Sequence, residues 1–305
     1  MTMPSTLDRL AEGTLDWLGH NLEFFDPWSA SARSATHGPV KAVLELALLC
    51  HCQSRFDARD DRLSEGAALI RALWQSLEFQ RLIDSQPEYA PRYGLIYAAL
   101  APTGIDDRLC RDTIARLVAD GHLSSRGQSP YQRLETRFYA DKAGAEHDVE
   151  PYEELVALSP LVTLVGTAAS DGAPLSTEDA YALTHSSFFL SDFGRQKPGP
   201  AYALERTDDL ARRMLDHCVE HDRWDLVGEL VMTRFCLGHD PLDTPSGVAA
   251  VECLVRAQAS DGAIPARSAA LLATTPVSAA ESFRKAYHTS IVTALMSLML
   301  TSARP

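Results

Sequence analysis

The stretch LVRAQASDGAIP, from Leu254 to Pro265, carries a helix to its end and then turns the chain. Asp261 can hydrogen-bond the turn, and Gly262 accepts the positive φ that a helix end demands. Its ASDGA, at Ala259–Ala263, also occurs earlier in the chain, at Ala169–Ala173. The first copy is followed by STEDAYALTHSSFFLSDFG and the second by SFRKAYHTSIVTALMSLML. Each follow-on places a Tyr shortly before a His, then HSS or HTS, then an apolar run. A repeated turn with a similar sequel predicts a repeated helical unit. His185 and His288 then occupy equivalent helices and face one central cavity, with their imidazoles within about 12 Å of each other.

The rest of the chain has the period of helices. PSTLDRLAEGTLDWLGHNLEFF puts Leu7, Leu10, Leu15 and Leu18 on one side after a Ser/Thr cap signal. SPYQRLETRFYADKAG opens with Ser-Pro and closes with Gly, which are start and stop signals. Further helices are expected over 151–166, 176–193, 206–220, 222–238, 245–259, 278–288 and 287–302. No alternating β-branched run of strand length is present. The expectation is an all-α fold of about a dozen helices, in a single domain spanning 1–305. Residues 1–150 form a less regular half and 151–305 the repeat-containing half. A solenoid needs self-similarity at a fixed period of some tens of residues. None is visible, which favours an (α/α) barrel or an incomplete toroid.

The phrase in which a helix ends at Gln258 and turns through Asp261 and Gly262 resembles the helix endings of (α/α) toroid proteins of the terpenoid-cyclase and prenyltransferase type. The copy at 167–174 keeps Asp171 and Gly172 but lacks the Gln. The resemblance covers about two repeat units and implies the toroid fold. It does not bring terpene chemistry with it, because neither DDxxD nor DxDD occurs in the chain.

Bulk properties narrow the classes. Lys plus Arg is 28 against 41 for Asp plus Glu, a net charge of −13. Such a chain lacks the basic surface that nucleic acid or an anionic membrane requires. The N-terminus carries acidic residues where a secretory signal needs a basic start, and no run reaches the ~18 apolar residues of a membrane span. The six cysteines form no CxxC and suit a reduced, cytoplasmic protein.

Three groups of residues have the makings of a site. Tyr181, His185, Phe188 and Asp192 fall on one helical stripe, part aromatic and part titratable. A His with a carboxylate one or two turns away can serve as acid and base. Asp192 followed by Gly194 equally suits a helix stop. His288, with Tyr287 beside it, sits in a nearly pure apolar helix, and an ionisable group there needs a partner. Arg133 and Arg137 at i, i+4 can clamp an anionic group of a substrate, or can be structural ion pairs. His185, Asp192 and His288 are therefore the candidate catalytic residues. Tyr181, Phe188, Arg133, Arg137 and Tyr287 are candidates for substrate binding.

The motifs of nucleotide, flavin and zinc sites are absent, so no cofactor and no metal is expected. The expected function is a small-molecule enzyme of specialised metabolism. It would catalyse non-redox ring closure or elimination by acid–base chemistry. Two alternatives stay open: a non-catalytic helical binding or partner protein, and a metalloenzyme using His185, Asp192 and His288. A homodimer or a partner protein also stays open.

Overall fold

The computed structural model describes residues 3–31, 39–56, 61–168, 174–199, 201–266 and 278–302. The first ASDGA copy lies outside them. The fold is all-α, and the described residues contain no strand. The helices are α1 (Met3–His20), α2 (Leu22–Phe25), α3 (Pro39–Phe56), α4 (Ser64–Trp74), α5 (Leu77–Asp84), α6 (Ala90–Ala99), α7 (Arg108–Ala119) and α8 (Pro130–Ala143). They continue as α9 (Tyr152–Leu158), α10 (Pro160–Ala168), α11 (Thr177–Ser191), α12 (Ala201–Glu220), α13 (Trp224–Cys236), α14 (Pro245–Ala257) and α15 (Ala279–Ser302).

Two expected segments change their number of helices. The segment 151–166 splits at Ser159, which is extended (φ −70°, ψ 156°), as a residue before proline prefers to be. The pair 278–288 and 287–302 is one helix, α15, because no glycine or proline interrupts it.

Helix ends follow local chemistry. Ser129 accepts from the Gln132 amide while the Gln132 side chain accepts from the Ser129 amide, closing a capping box around Pro130. A cap of this kind contributes about 1 kcal/mol. Gly144, at φ +65°, stops the same helix. Ser176 caps α11 through the Asp179 amide.

Six helices neighbour one another in a cycle: α3 with α6, α6 with α8, α8 with α11, α11 with α13, α13 with α15, and α15 back to α3. They run the same way. Residues in the first halves of neighbouring helices meet, Arg92 of α6 with Glu135 of α8 and Tyr181 of α11 with Asp225 of α13, while Tyr131 near the start of α8 meets His185 in the middle of α11. Residues at their far ends also meet, with Arg55 of α3 and Lys142 of α8 converging on Asp192 after α11. The intervening helices pack against members of this cycle. α1 lies on α15, α4 on α3, α7 on α6, α12 on α13, and α14 on α13.

Close approach sets the levels. A Cβ on Gly228 of α13 would lie 2.8 Å from Val292 Cγ1, so only glycine lets α13 come this near α15. Arg234 then ties α13 to the outer layer through Asp208 (2.7 and 3.1 Å) and Thr244 Oγ1 (2.6 Å).

The Gln258–Asp261–Gly262 turn forms as its sequence implies. Gln258 ends α14, its side chain donating to the carbonyls of Leu10 and Gly262 (each 3.3 Å), and Asp261 accepts from the Ala263 amide. Gly262 has φ +94°, and a Cβ there would sit 2.0 Å from the Gly13 carbonyl oxygen of α1. The turn is thus a clasp between α14 and α1. Gly262→Ala should lower stability by roughly 1–3 kcal/mol from backbone conformation alone, with the clash adding to it. A denaturant midpoint unchanged from wild type would show that the clasp is dispensable.

Candidate functional site

His185 and His288 do meet. Glu229 of α13 stands between them, with its Oε1 3.5 Å from His185 Nε2 and 3.7 Å from His288 Nε2. The two Nε2 atoms are therefore no farther apart than the sum of these distances, inside the expected separation. Glu229 is itself 1% exposed, and its other oxygen accepts 2.6 Å from Thr184 Oγ1. The two imidazoles each keep 30% of their side-chain surface exposed. A deep carboxylate is thus overlaid by two reachable histidines.

Each ring is held from its other nitrogen. His288 Nδ1 lies 2.9 Å from Glu45 Oε2 of α3. His185 Nδ1 lies 2.9 Å from the Tyr131 hydroxyl of α8. The result is one chain of polar contacts, Tyr131–His185–Glu229–His288–Glu45, that crosses five of the six ring helices.

Burial disfavours charge on the carboxylates, yet the neighbouring histidines outweigh it. Burial would raise Glu229, but the charges and hydrogen bonds of His185 and His288 hold it well below the usual carboxylate range. Glu45 behaves alike, its burial outweighed by His288 and then Lys41. Burial would lower His288, but Glu45 and Glu229 on its two sides raise it well above the ordinary value. At neutral pH His288 is a fixed cation between two carboxylates. Burial, reinforced by Glu135 and Glu229, raises the Tyr131 phenol, so it keeps its proton.

The remaining sequence candidates distribute themselves around this chain. Tyr181 packs 6.0 Å from the His185 ring and donates its hydroxyl to Asp225. Phe188 is buried behind His185, stacked on Phe193. Tyr287 stacks on Phe283 beside Phe25, adjoining His288.

Asp192 does not pair with His185. α11 ends at Ser191, and Asp192, Phe193 and Gly194 all take positive φ (48°, 56° and 84°), which swings the carboxylate off the stripe. It binds the Arg55 guanidinium through both oxygens and Lys142 Nζ at 2.9 Å. Burial would raise its carboxyl, but these two cations hold it below the ordinary range. The ligand set His185–Asp192–His288 therefore does not assemble. Among the described residues no group of three His, Cys, Asp or Glu side chains is arranged to hold a metal ion.

The Arg133–Arg137 clamp is also redirected. Its helix is partly buried, as the flanking aromatics imply, but both guanidinia are occupied. Arg133 binds Glu150 (2.6 Å) and the Gln128 carbonyl, and Arg137 binds the carbonyls of Val149 and Glu150. Both fasten the segment after α8 rather than face His185. Glu135 between them pairs with Arg92 of α6 (2.7 and 2.8 Å). A surface recess of about 300 Å³ between α10 and α12 is lined by Val165, Leu210, Arg206, Asp209, Arg212 and Arg213, none of which belongs to the histidine chain.

Residues 11–298 match the family model DUF6895, a domain of unknown function. The chain belongs to the DUF6895 family. The match takes in all the side chains from Glu45 to His288 that make up the site. No curated protein matches the chain, and no solved structure does.

Asp192→Asn should cost roughly 2–4 kcal/mol, because two half-buried cations lose their shared anion. Unfolding in urea measures this, and a wild-type midpoint would free Asp192 from its structural role. A second expectation concerns pH. His288 is raised in the folded state, so its contribution is complete below its unfolded value of about 6.5 and is lost as pH climbs above it. Glu45 and Glu229 are lowered, so theirs is lost as pH falls below about 4.3. Stability from this cluster should peak between those limits. His288→Gln should flatten the alkaline decline seen in midpoints from about pH 6 to 9.

Proposed function

We propose that the protein is an enzyme that performs non-redox acid–base chemistry on a small organic molecule. Its site is the Glu229-centred pair of histidines. The observation that carries this reading is the division of labour between the two rings. His288 has a carboxylate on each nitrogen and is held as a cation. His185 has a carboxylate on one side only and a phenol on the other. One imidazole therefore supplies standing positive charge, and the other is placed to carry a proton. Glu229 holds the imidazolium that forms when His185 takes the proton up, the part an orienting carboxylate plays beside a catalytic histidine.

Aromatic side chains flank this pair. Tyr131, Tyr181 and Phe188 surround His185, and Tyr287 adjoins His288. Apolar walls with a few converging polar groups suit a small ligand. In ring closure or elimination, the proton lost by the substrate ends on His185 while the fixed charge of His288 stabilises negative charge developing on the departing or enolising group. Specialised metabolism in the cytoplasm remains the setting we favour.

We further read the fold as an (α/α) toroid of the kind the Gln258–Gly262 ending resembles. The cyclic adjacency of six co-directional helices, with the others packed against them, supports that reading. So does the polar chain that links five of those helices.

Incubating the protein with extracts of its source cells, followed by untargeted mass spectrometry, tests the function. The expected product is an isomer of the consumed compound, or that compound less a small neutral fragment. It should form without loss or gain of hydrogen pairs and should survive chelation. Glu229→Gln should lower the rate by about 10²–10⁴ while the helix content stays intact. A product differing by two hydrogens, or turnover that depends on one added metal ion, would overturn the proposal.

A further inference from the structure

Neither ring nitrogen of His185 is free to touch a substrate. Nε2 is directed at Glu229, and Nδ1 is engaged by the Tyr131 hydroxyl. A proton must therefore reach His185 through one of those two neighbours. Glu229 is 1% exposed and already bonded to Thr184. Tyr131 is only partly buried. We propose that Tyr131 is the residue that exchanges a proton with the substrate, in a Tyr131–His185–Glu229 relay. This rests on the acid–base reading above and names the atom, Tyr131 Oη, at which the substrate is met.

The order hydroxyl, imidazole, carboxylate is the one by which a weak side-chain hydroxyl is activated. Here the imidazole is reversed, with the hydroxyl on Nδ1 and the carboxylate on Nε2. Placement is firm at every member. Tyr131 is the second residue of α8, directly inside the Ser129–Gln132 capping box and after Pro130. Its ring stacks on Phe189 and tilts against His185. His185 is further packed by Tyr181 and Phe188.

The hydrogen bookkeeping fixes the tautomer. The Glu229 carboxylate at Nε2 can only accept, whereas the Tyr131 hydroxyl 2.9 Å from Nδ1 can donate. Neutral His185 then carries its own hydrogen on Nε2, facing the Glu229 carboxylate. The phenol oxygen keeps its lone pairs for the substrate. In the forward step the substrate's proton passes to Oη as the phenol's own proton passes to Nδ1, and the imidazolium so formed faces Glu229. In the return step Nδ1 gives its proton back to Oη, and Oη delivers one to the leaving or rearranged atom. One proton enters and one leaves, with no change of oxidation state.

Two measurements on the intact chain test this without a known substrate. In ¹⁵N-histidine spectra, the signal that disappears in His185→Gln should, in its neutral form, carry its proton at Nε2. A ring protonated at Nδ1 would overturn the relay. An arylsulfonyl fluoride should also modify Tyr131 ahead of the other tyrosines. There Oη bonds to sulfur, fluoride departs and the phenol's proton moves to His185. The rate, read by peptide mapping, should fall at least about tenfold in His185→Gln and in Glu229→Gln. Equal labelling of both variants and wild type would also overturn it.

These results separate from those on function. Relay signatures in a protein that turns over nothing would remove the acid–base function and leave the relay. Turnover persisting at the wild-type rate in Tyr131→Phe would remove the relay and leave the function.

Discussion

A carboxylate taken out of water has to be compensated where it stands, and Glu229 is compensated by groups from two neighbouring helices and a hydroxyl. An isolated charge at such a depth costs several kcal/mol, far more than any one contact around it returns. The helices are therefore bound to a common level. α13 must present Glu229 where α11 presents Thr184 and His185 and where α15 presents His288. His288 in turn requires Glu45 of α3, and His185 requires Tyr131 of α8. Sliding any one of them by a turn would strand a charge. This condition suits neighbouring helices that run the same way.

Toward the far ends of these helices stands the complementary arrangement, one anion between two cations. Arg55 and Lys142 stand in the last turns of α3 and α8, where the exposed carbonyls of a helix favour positive charge. Asp192 joins them from beyond the end of α11. Its left-handed backbone, and that of Phe193, is unfavourable for non-glycine residues. The two ion pairs and the stacking of Phe193 on Phe188 hold it there. SDFG is accordingly a helix stop with a structural carboxylate, the plainer of its two sequence readings.

The helical class was legible because Leu, Ala and capping residues repeat at the right spacing throughout, and the Gln258 turn was legible because its side chains do locally what their types suggest. Segment 151–166 misled because Leu, Val and Ala suit a helix on both sides of Ser159, and only the proline after it marks the break. In the site, the two histidines were visible as ionisable groups in apolar text. Glu229 in LVGELVMTRF and Glu45 in AVLELALLC carry the same mark and were passed over. A lone acid in an apolar helix poses the same question as a lone histidine, and here each answers the other. What periodicity could not supply is partnership. It placed Asp192 on the stripe of His185 by extending a helix two residues too far, and it had no means of bringing Tyr131 there from another helix.

The pairing of His288 with Glu45 also spans 243 positions of chain. A ribosome adding about 5–20 residues per second needs on the order of 10–50 s to make the second partner after the first. Through that interval α3, α6, α8, α11 and α13 can associate, but Glu45 and Glu229 wait without the cation that stands between them. The apolar faces that α15 will cover on α1, α3 and α13 wait as well. The nascent chain therefore keeps these faces uncovered, exposed to wrong partners, until its final described helix arrives. Covering these faces and charging the site are a single late event in the life of each molecule.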